Sequence, residues 1–273
     1  MQVSSSWSSP TGTLGGIVAE ARERARDLAA RAAELERLAS SIRQVPPFAA
    51  ALRGPDVAII AEVKRRSPSK GWIQASLDAR DQARQYREGG AAAISVLTEP
   101  RHFAGSAEDL VRVRQTVPLA TLKKDFHVAP IQLVEAKALG ASAALIIARA
   151  LPPLELREML RTAAELRLEV LLEVRDEHEL ALALELDCTV IGINNRDLET
   201  LSTDPTRSEQ LLGQTPGDVV AVAESGVSGR EDVERLAQFG ADAVLVGSTL
   251  SAAPEPASAV RALTGIARAA RGS

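Results

Sequence analysis

The stretch VAIIAEVKRRSPSKG, residues 57–71, reads as a strand whose far end collects charge. Side chains alternate across a strand, so Val57, Ile59, Ala61 and Val63 share one apolar face and Ala58, Ile60, Glu62 and Lys64 share the other. A carboxylate and an ammonium on the inner face of a core strand are costly unless they are paired or put to use. Other apolar runs end in the same residue types. PLATLKKDF (118–126) ends in Lys123, Lys124 and Asp125, EVLLEV (169–174) places Glu173 on the face of Leu171, and TVIGINNRDL (189–198) carries Asn194, Asn195 and Arg196. Taken singly, each charge is a rim salt bridge. Taken together, two lysines and two glutamates at one mouth would share the cost of leaving water. They would also shift one another's proton affinities, as acid/base chemistry needs.

Two further runs end differently. AVAESGVSG (221–229) and VLVGSTL (244–250) close on small residues, where Gly226 and Gly247 let a backbone approach an anion and Ser225 and Ser248 offer hydroxyls. As neighbouring loops they suit a phosphate; separately they are ordinary turns. Other chemistries find no support. His102, His127 and His178 lack metal-ligand spacing, no GxGxxG or Walker loop occurs, and no nucleophile elbow is visible. The expectation is a site with no metal and no cofactor.

The elements that must position these groups alternate. Apolar runs lie near 57–63, 91–97, 118–123, 143–147, 169–174, 189–194, 219–224 and 243–247, with helical patterns such as DARDQARQYREGG and GREDVERLAQFG between most of them. That order predicts parallel βα units. GGAAAISVL, LGASAALII and FGADAVLVG repeat a Gly-Ala-x-Ala-apolar pattern at Gly90, Gly140 and Gly240, consistent with a unit of about 25 residues. Eight units predict a (β/α)8 TIM barrel with its site at the C-terminal strand ends, a doubly wound open sheet being the alternative. Residues 17–43, rich in Ala, Leu, Arg and Glu, predict one long helix. The expected organisation is a flexible tail over 1–14, a helical extension over 15–50 and one catalytic barrel domain over 51–273.

The chain has 273 residues, 45% hydrophobic and 25% charged, enough for a full core. A net charge of −4 gives no basic footprint for nucleic acid or membrane. The lone cysteine, Cys188, rules out an internal disulfide framework and reads as a packed thiol, compatible with a reducing cytoplasm. No apolar run reaches the roughly 20 residues of a membrane span, and the N-terminus lacks the pattern of a secretion signal.

In chain order, IIAEVKRRSPSKG, GAAAISVLTEPRHFAGSAEDL, LKKDF, LLEV, IGINNRDL, AESGV and VLVGSTL resemble the indole-3-glycerol phosphate synthase family over roughly residues 15–270. The first motif and IGINNRDL are specific to it; AESGV and VLVGS are shared more widely among phosphate-binding barrels. The resemblance implies ring closure, decarboxylation and dehydration of 1-(2-carboxyphenylamino)-1-deoxyribulose 5-phosphate, a step of tryptophan biosynthesis. It implies Lys124 as the general acid at the ketone, Lys64 on the anthranilate carboxylate, Glu173 and Glu62 in later proton transfers, and Asn194 as a positioning group. Arg196 would contact the carboxylate side or anchor a loop, and Ser67 would be a polar contact. Ser225, Gly226, Gly247 and Ser248 match a phosphate cradle with Glu224 beside it. Phe103, Phe126, Pro68 and Leu198 would wall the aromatic ring, or simply pack the core. The partner is then a small phosphorylated substrate, with the chain a monomer or weak homo-oligomer. Three departures concern loops and packing: GWIQASLDARD after the first strand, His102 where an aromatic is expected, and Lys123 where many relatives carry arginine. A phosphoribosyl-sugar isomerase would use a different acid/base pair, and a non-catalytic barrel would have lost one of these groups.

Overall fold

The computed structural model describes residues 7–272. Eight parallel strands close into a barrel: β1 (Ala58–Val63), β2 (Ala93–Leu97), β3 (Ala120–Lys124), β4 (Ala143–Ile147), β5 (Glu169–Val174), β6 (Val190–Asn194), β7 (Val220–Glu224) and β8 (Ala243–Val246). Closure is made by β1, whose Ala58–Ala61 pair with Ala243–Val246 of β8 while Ile60–Val63 pair with Ala93–Val96 of β2. The open-sheet alternative is thereby excluded. Each strand begins within two residues of its apolar run, because strands covered on both faces are written as nearly unbroken Val, Ile, Leu and Ala.

Around the barrel lie Ala79–Gly89, Ala107–Thr116, Pro130–Ala138, Pro153–Glu165, Glu177–Glu185, Thr206–Leu212, Arg230–Gln238 and Pro256–Arg261. Gly90, Gly140 and Gly240 each lie just past a helix in the left-handed region, with φ of +93°, +78° and +83°. The repeated glycine therefore ends a helix and turns the chain into the next strand. Cys188 is half-buried, and burial pushes its thiol up to about 12, consistent with a packed group.

The N-terminal region departs from the expected single helix over 17–43. Helix α1 spans Gly12–Ala29 and α2 spans Ala32–Ser41, with Arg31 between them off helical geometry (φ −111°, ψ 14°). Residues 12–14, expected within the tail, form the first turn of α1. Composition favours helix throughout, but α1 reaches the barrel mouth through Thr13 and Ile17 while α2 packs chiefly along the helix Pro130–Ala138, and the chain turns at Ala30–Arg31 between them. Tertiary packing overrides propensity here. Four attachments seat α1: Thr11 donates to Glu199, Arg22 pairs with Glu155 at 2.7 Å, Arg24 reaches Asp125 at 2.7 Å and Glu99 at 3.3 Å, and Glu20 meets His102 at 2.9 Å. Among the described residues no helix is long and apolar enough to cross a membrane.

Candidate active site

Strand parity brings the charged groups inward. Glu62, Lys124, Glu173, Asn194 and Glu224 all stand at the C-terminal ends of their strands on the lumen side, over a floor that includes Leu145 and Leu245. Lys64 Nζ lies 2.8 Å from Glu62 Oε1, and Ser95 Oγ donates to Glu62 Oε2 at 3.3 Å. Across the mouth, Lys124 Nζ sits between Glu224 Oε2 at 2.9 Å and Glu173 Oε2 at 3.4 Å. Asn194 Nδ2 donates to Glu173 Oε1 at 2.9 Å, while its Oδ1 accepts the Arg196 backbone N–H at 2.9 Å. Arg196 Nη1 donates to Leu201 O at 2.9 Å, anchoring the loop after β6; it has no carboxylate partner among the described residues.

Three carboxyls therefore share two ammoniums in a nearly dry place. Burial pulls the Lys124 ammonium down, but Glu224, Glu173 and Glu62 together hold it well above the ordinary lysine value. Burial pushes Glu224 up; Lys124 pulls it back, Glu173 and Glu62 push it further, and the carboxyl reaches about 7. Its Oε1 is buried with no hydrogen-bond partner. The arrangement can keep a proton on a lysine beside a carboxyl poised near neutrality, as general acid/base catalysis requires.

A cavity of about 220 Å³ opens above this cluster. Every site residue named from sequence lines it: Glu62, Lys64, Ser67, Pro68, Phe103, Lys124, Phe126, Glu173, Asn194, Arg196, Leu198, Glu224, Ser225, Gly226, Gly247 and Ser248. Phe103 and Phe126 lie with ring centroids 6.1 Å apart, forming an aromatic side. On the far side, Ser225 and Gly226 both adopt positive φ, +65° and +93°, and line the cavity together with Gly247 and Ser248, which follow the adjacent, paired strand β8. Asn195, directed away from the cluster, fixes that turn by donating to Ser225 O at 3.0 Å. The loop carrying Ser67 and Pro68 is a hairpin pairing Arg66–Ser67 with Gly71–Trp72, and Arg65 anchors it by a two-pronged contact with Asp109 at 2.5 and 3.1 Å.

Sequence reasoning missed several lining groups. Thr13 and Ile17 come from α1, so the extension forms part of the cavity wall; Leu97, Ile147 and Lys70 also line it. Lys70 lay in view beside Ser67 and Pro68, whereas no local signal tells that α1 folds over the mouth. Glu224, beside the Ser225–Gly226 turn, also contacts Lys124, one hundred residues away, which no local signal shows. Lys123 points outward and pairs with Glu135 at 3.0 Å and Asp125 at 3.3 Å. The structure also brings His102 to Glu20 and Glu99, which sequence spacing hid. Glu99 is spent as a helix cap on the N–H groups of Arg101, His102 and Phe103, with Arg24 alongside.

The closed parallel barrel, the ionic cluster at its C-terminal mouth and the small-residue loops after β7 and β8 define a (β/α)8-barrel protein with an acid/base cavity. Comparison with known proteins narrows the class. The family model for indole-3-glycerol phosphate synthase matches residues 14–263, and the chain belongs to that family. It is 44% identical over 257 residues to indole-3-glycerol phosphate synthase 2 of Streptomyces coelicolor, covering 93% of this chain and all of that one. It is 46% identical to the indole-3-glycerol phosphate synthase of Kineococcus radiotolerans, covering 90% and 93% of the two chains. Among solved structures, 3-hexulose-6-phosphate synthase from Salmonella typhimurium superposes with a TM-score of 0.62 at 14% identity over 76% of this chain and 96% of that one, a likeness of fold alone.

Proposed function

We infer that the cavity closes the indole ring, taking 1-(2-carboxyphenylamino)-1-deoxy-D-ribulose 5-phosphate to indole-3-glycerol phosphate, carbon dioxide and water. The reaction belongs to tryptophan biosynthesis, as the full-length family match implies. The anilino nitrogen pushes electrons onto the ring carbon bearing the carboxylate, so the substrate carries its own electron source. That carbon attacks the ketone carbon, and Lys124 gives its proton to the ketone oxygen. Loss of carbon dioxide restores the aromatic ring, and protonated departure of the new hydroxyl as water, with removal of a proton from carbon, completes the pyrrole. The demands on the protein are a folded substrate, one strong acid position and a nearby base.

The observation that carries this reading is Lys124, a protonated amine held between Glu173 and Glu224 at the cavity floor. Lys64 and the guanidinium of Arg196, which has no carboxylate partner among the described residues, suit the anthranilate carboxylate, and Phe103 with Phe126 suits its ring. Glu62 and Glu173 serve the later proton transfers, with Asn194 fixing Glu173. The loops at Ser225–Gly226 and Gly247–Ser248 suit the phosphate, with Ser67 as a further polar contact. Purified protein incubated with the anilino-deoxyribulose phosphate is expected to generate indole fluorescence. Lys124→Met is expected to lower kcat by at least a thousandfold while leaving a folded chain; turnover within tenfold of the parent would remove Lys124 as the acid.

A further inference from the structure

Gly192 lies on β6 two residues before Asn194, so it faces the lumen one layer beneath the ionic cluster. A methyl group there would sit 2.2 Å from Glu224 Oε1 and 3.2 Å from Leu171 Cδ2. The space left by the missing side chain is thus the space into which the Glu224 carboxyl hangs. Its other oxygen reaches up to Lys124 at 2.9 Å, while the lower one has no partner and no water-facing surface. The groups that face this carboxyl are Lys124 from β3, Glu173 from β5 and Glu62 from β1, with Asn194 beside it on β6.

We propose that Gly192 is a positioning residue for the ring-closing reaction: by leaving its place empty it seats Glu224 low in the barrel, with Oε2 against Lys124 and Oε1 out of water. The proposal rests on Lys124 being the acid of the reaction above. Gly192→Ala would have to push Oε1 upward by about 1 Å, since non-bonded heavy atoms do not approach to 2.2 Å. The atom displaced is the far end of a flexible side chain, so the fold has little reason to fail. Lifted toward the open cavity, the carboxyl regains hydration and gives up its proton more readily.

Four measurements test this. The melting temperature is expected to stay within a few degrees of the parent, while kcat falls roughly ten- to a hundredfold, as displacements of about 1 Å do. Combined with Glu224→Ala, the glycine substitution is expected to cost less than about twofold beyond Glu224→Ala alone, because it acts through that carboxyl. Without substrate, the carboxyl carbon of Glu224 followed by NMR is expected to titrate at lower pH in Gly192→Ala, a readout that stands even if the assigned reaction is wrong. An unchanged titration midpoint, kcat within twofold of the parent, or losses that multiply in the double variant would overturn the proposal. So would a variant that cannot fold, since the glycine would then serve the packing of β6.

Discussion

Glu224→Gln should make the protein more stable at pH 8 while impairing its chemistry. The carboxyl is raised from 4.5 to about 7, foremost by burial, with Glu173 and Glu62 adding to it against the pull of Lys124. Between those values the folded chain keeps a proton that the unfolded chain has released, so stability falls as pH rises through that window and is level above it. At 1.36 kcal/mol per pKa unit, ionising Glu224 costs the fold about 3 kcal/mol by pH 8. Glutamine matches the protonated form in shape and carries no charge, so it escapes that cost. Urea unfolding at pH 4.5 should give parent and variant the same midpoint. At pH 8 the variant should unfold later by roughly 1 M urea, for a slope near 3 kcal/mol per M. Glu179, also raised to about 7 by burial, is common to both chains and cancels in the difference. A variant equal to or less stable than the parent at pH 8 would refute the reasoning. It would mean that the contact with Lys124 outweighs burial and the neighbouring carboxylates.

Sulfate or inorganic phosphate should shift the amide signals of residues 225–226 and 247–248; unshifted signals there would argue against those loops as the phosphate cradle. His127 should stay neutral down to about pH 4 with its proton on Nδ1, because burial lowers it to about 3, Nδ1 lies 2.6 Å from Leu145 O and Nε2 lies 3.3 Å from Lys123 Nζ. Imidazole nitrogen shifts would show an imidazolium at pH 5 if that is wrong. Asp242→Ala should lower the melting temperature by about 10 °C, a loss of roughly 3–5 kcal/mol. Its carboxylate holds Arg271 at 2.6 Å and Arg268 at 3.2 Å at the start of β8, and the Arg271 side chain is only 4% exposed. A shift under 2 °C would show that these arginines find other partners.

The strands were legible because parallel strands buried on both faces must be apolar, and their chemistry because a charge that interrupts such a run needs a reason. Parity alone places Glu62 and Glu173 on inward faces, whereas Asn194 is marked only by its place at a strand end. Contacts across the barrel were not legible. The meeting of Lys124 with Glu224 depends on strand tilt and stagger, which no local spacing encodes, so Glu224 was assigned to the phosphate side by its neighbours Ser225 and Gly226. The break between α1 and α2 was hidden for the converse reason. Ala30 and Arg31 are good helix formers, and only the shape of the barrel beneath them calls for a turn.

The cluster's charge bears on how it meets its ligand. Glu62, Glu173 and Glu224 outnumber Lys64 and Lys124, and the substrate assigned above brings a carboxylate and a phosphate. Arg196 and Lys70, the other cations of the cavity lining, come from loops beyond the strand ends. An anion entering over the floor raises the proton affinity of a buried carboxyl beneath it, and a carboxyl already near neutrality then takes up a proton. Glu224 is that group by its position: buried, one oxygen unpaired, with Lys124 on the other. Substrate binding near pH 7.5 should therefore draw a proton from solvent. Calorimetry of a non-reacting substrate analogue, run in buffers of different ionisation enthalpy, should show an uptake of up to about three-quarters of a proton, the share a carboxyl near 7 has released at that pH, and it should disappear in Glu224→Gln. An uptake that survives the substitution would place the responding proton elsewhere, on the ligand's own phosphate before any other group.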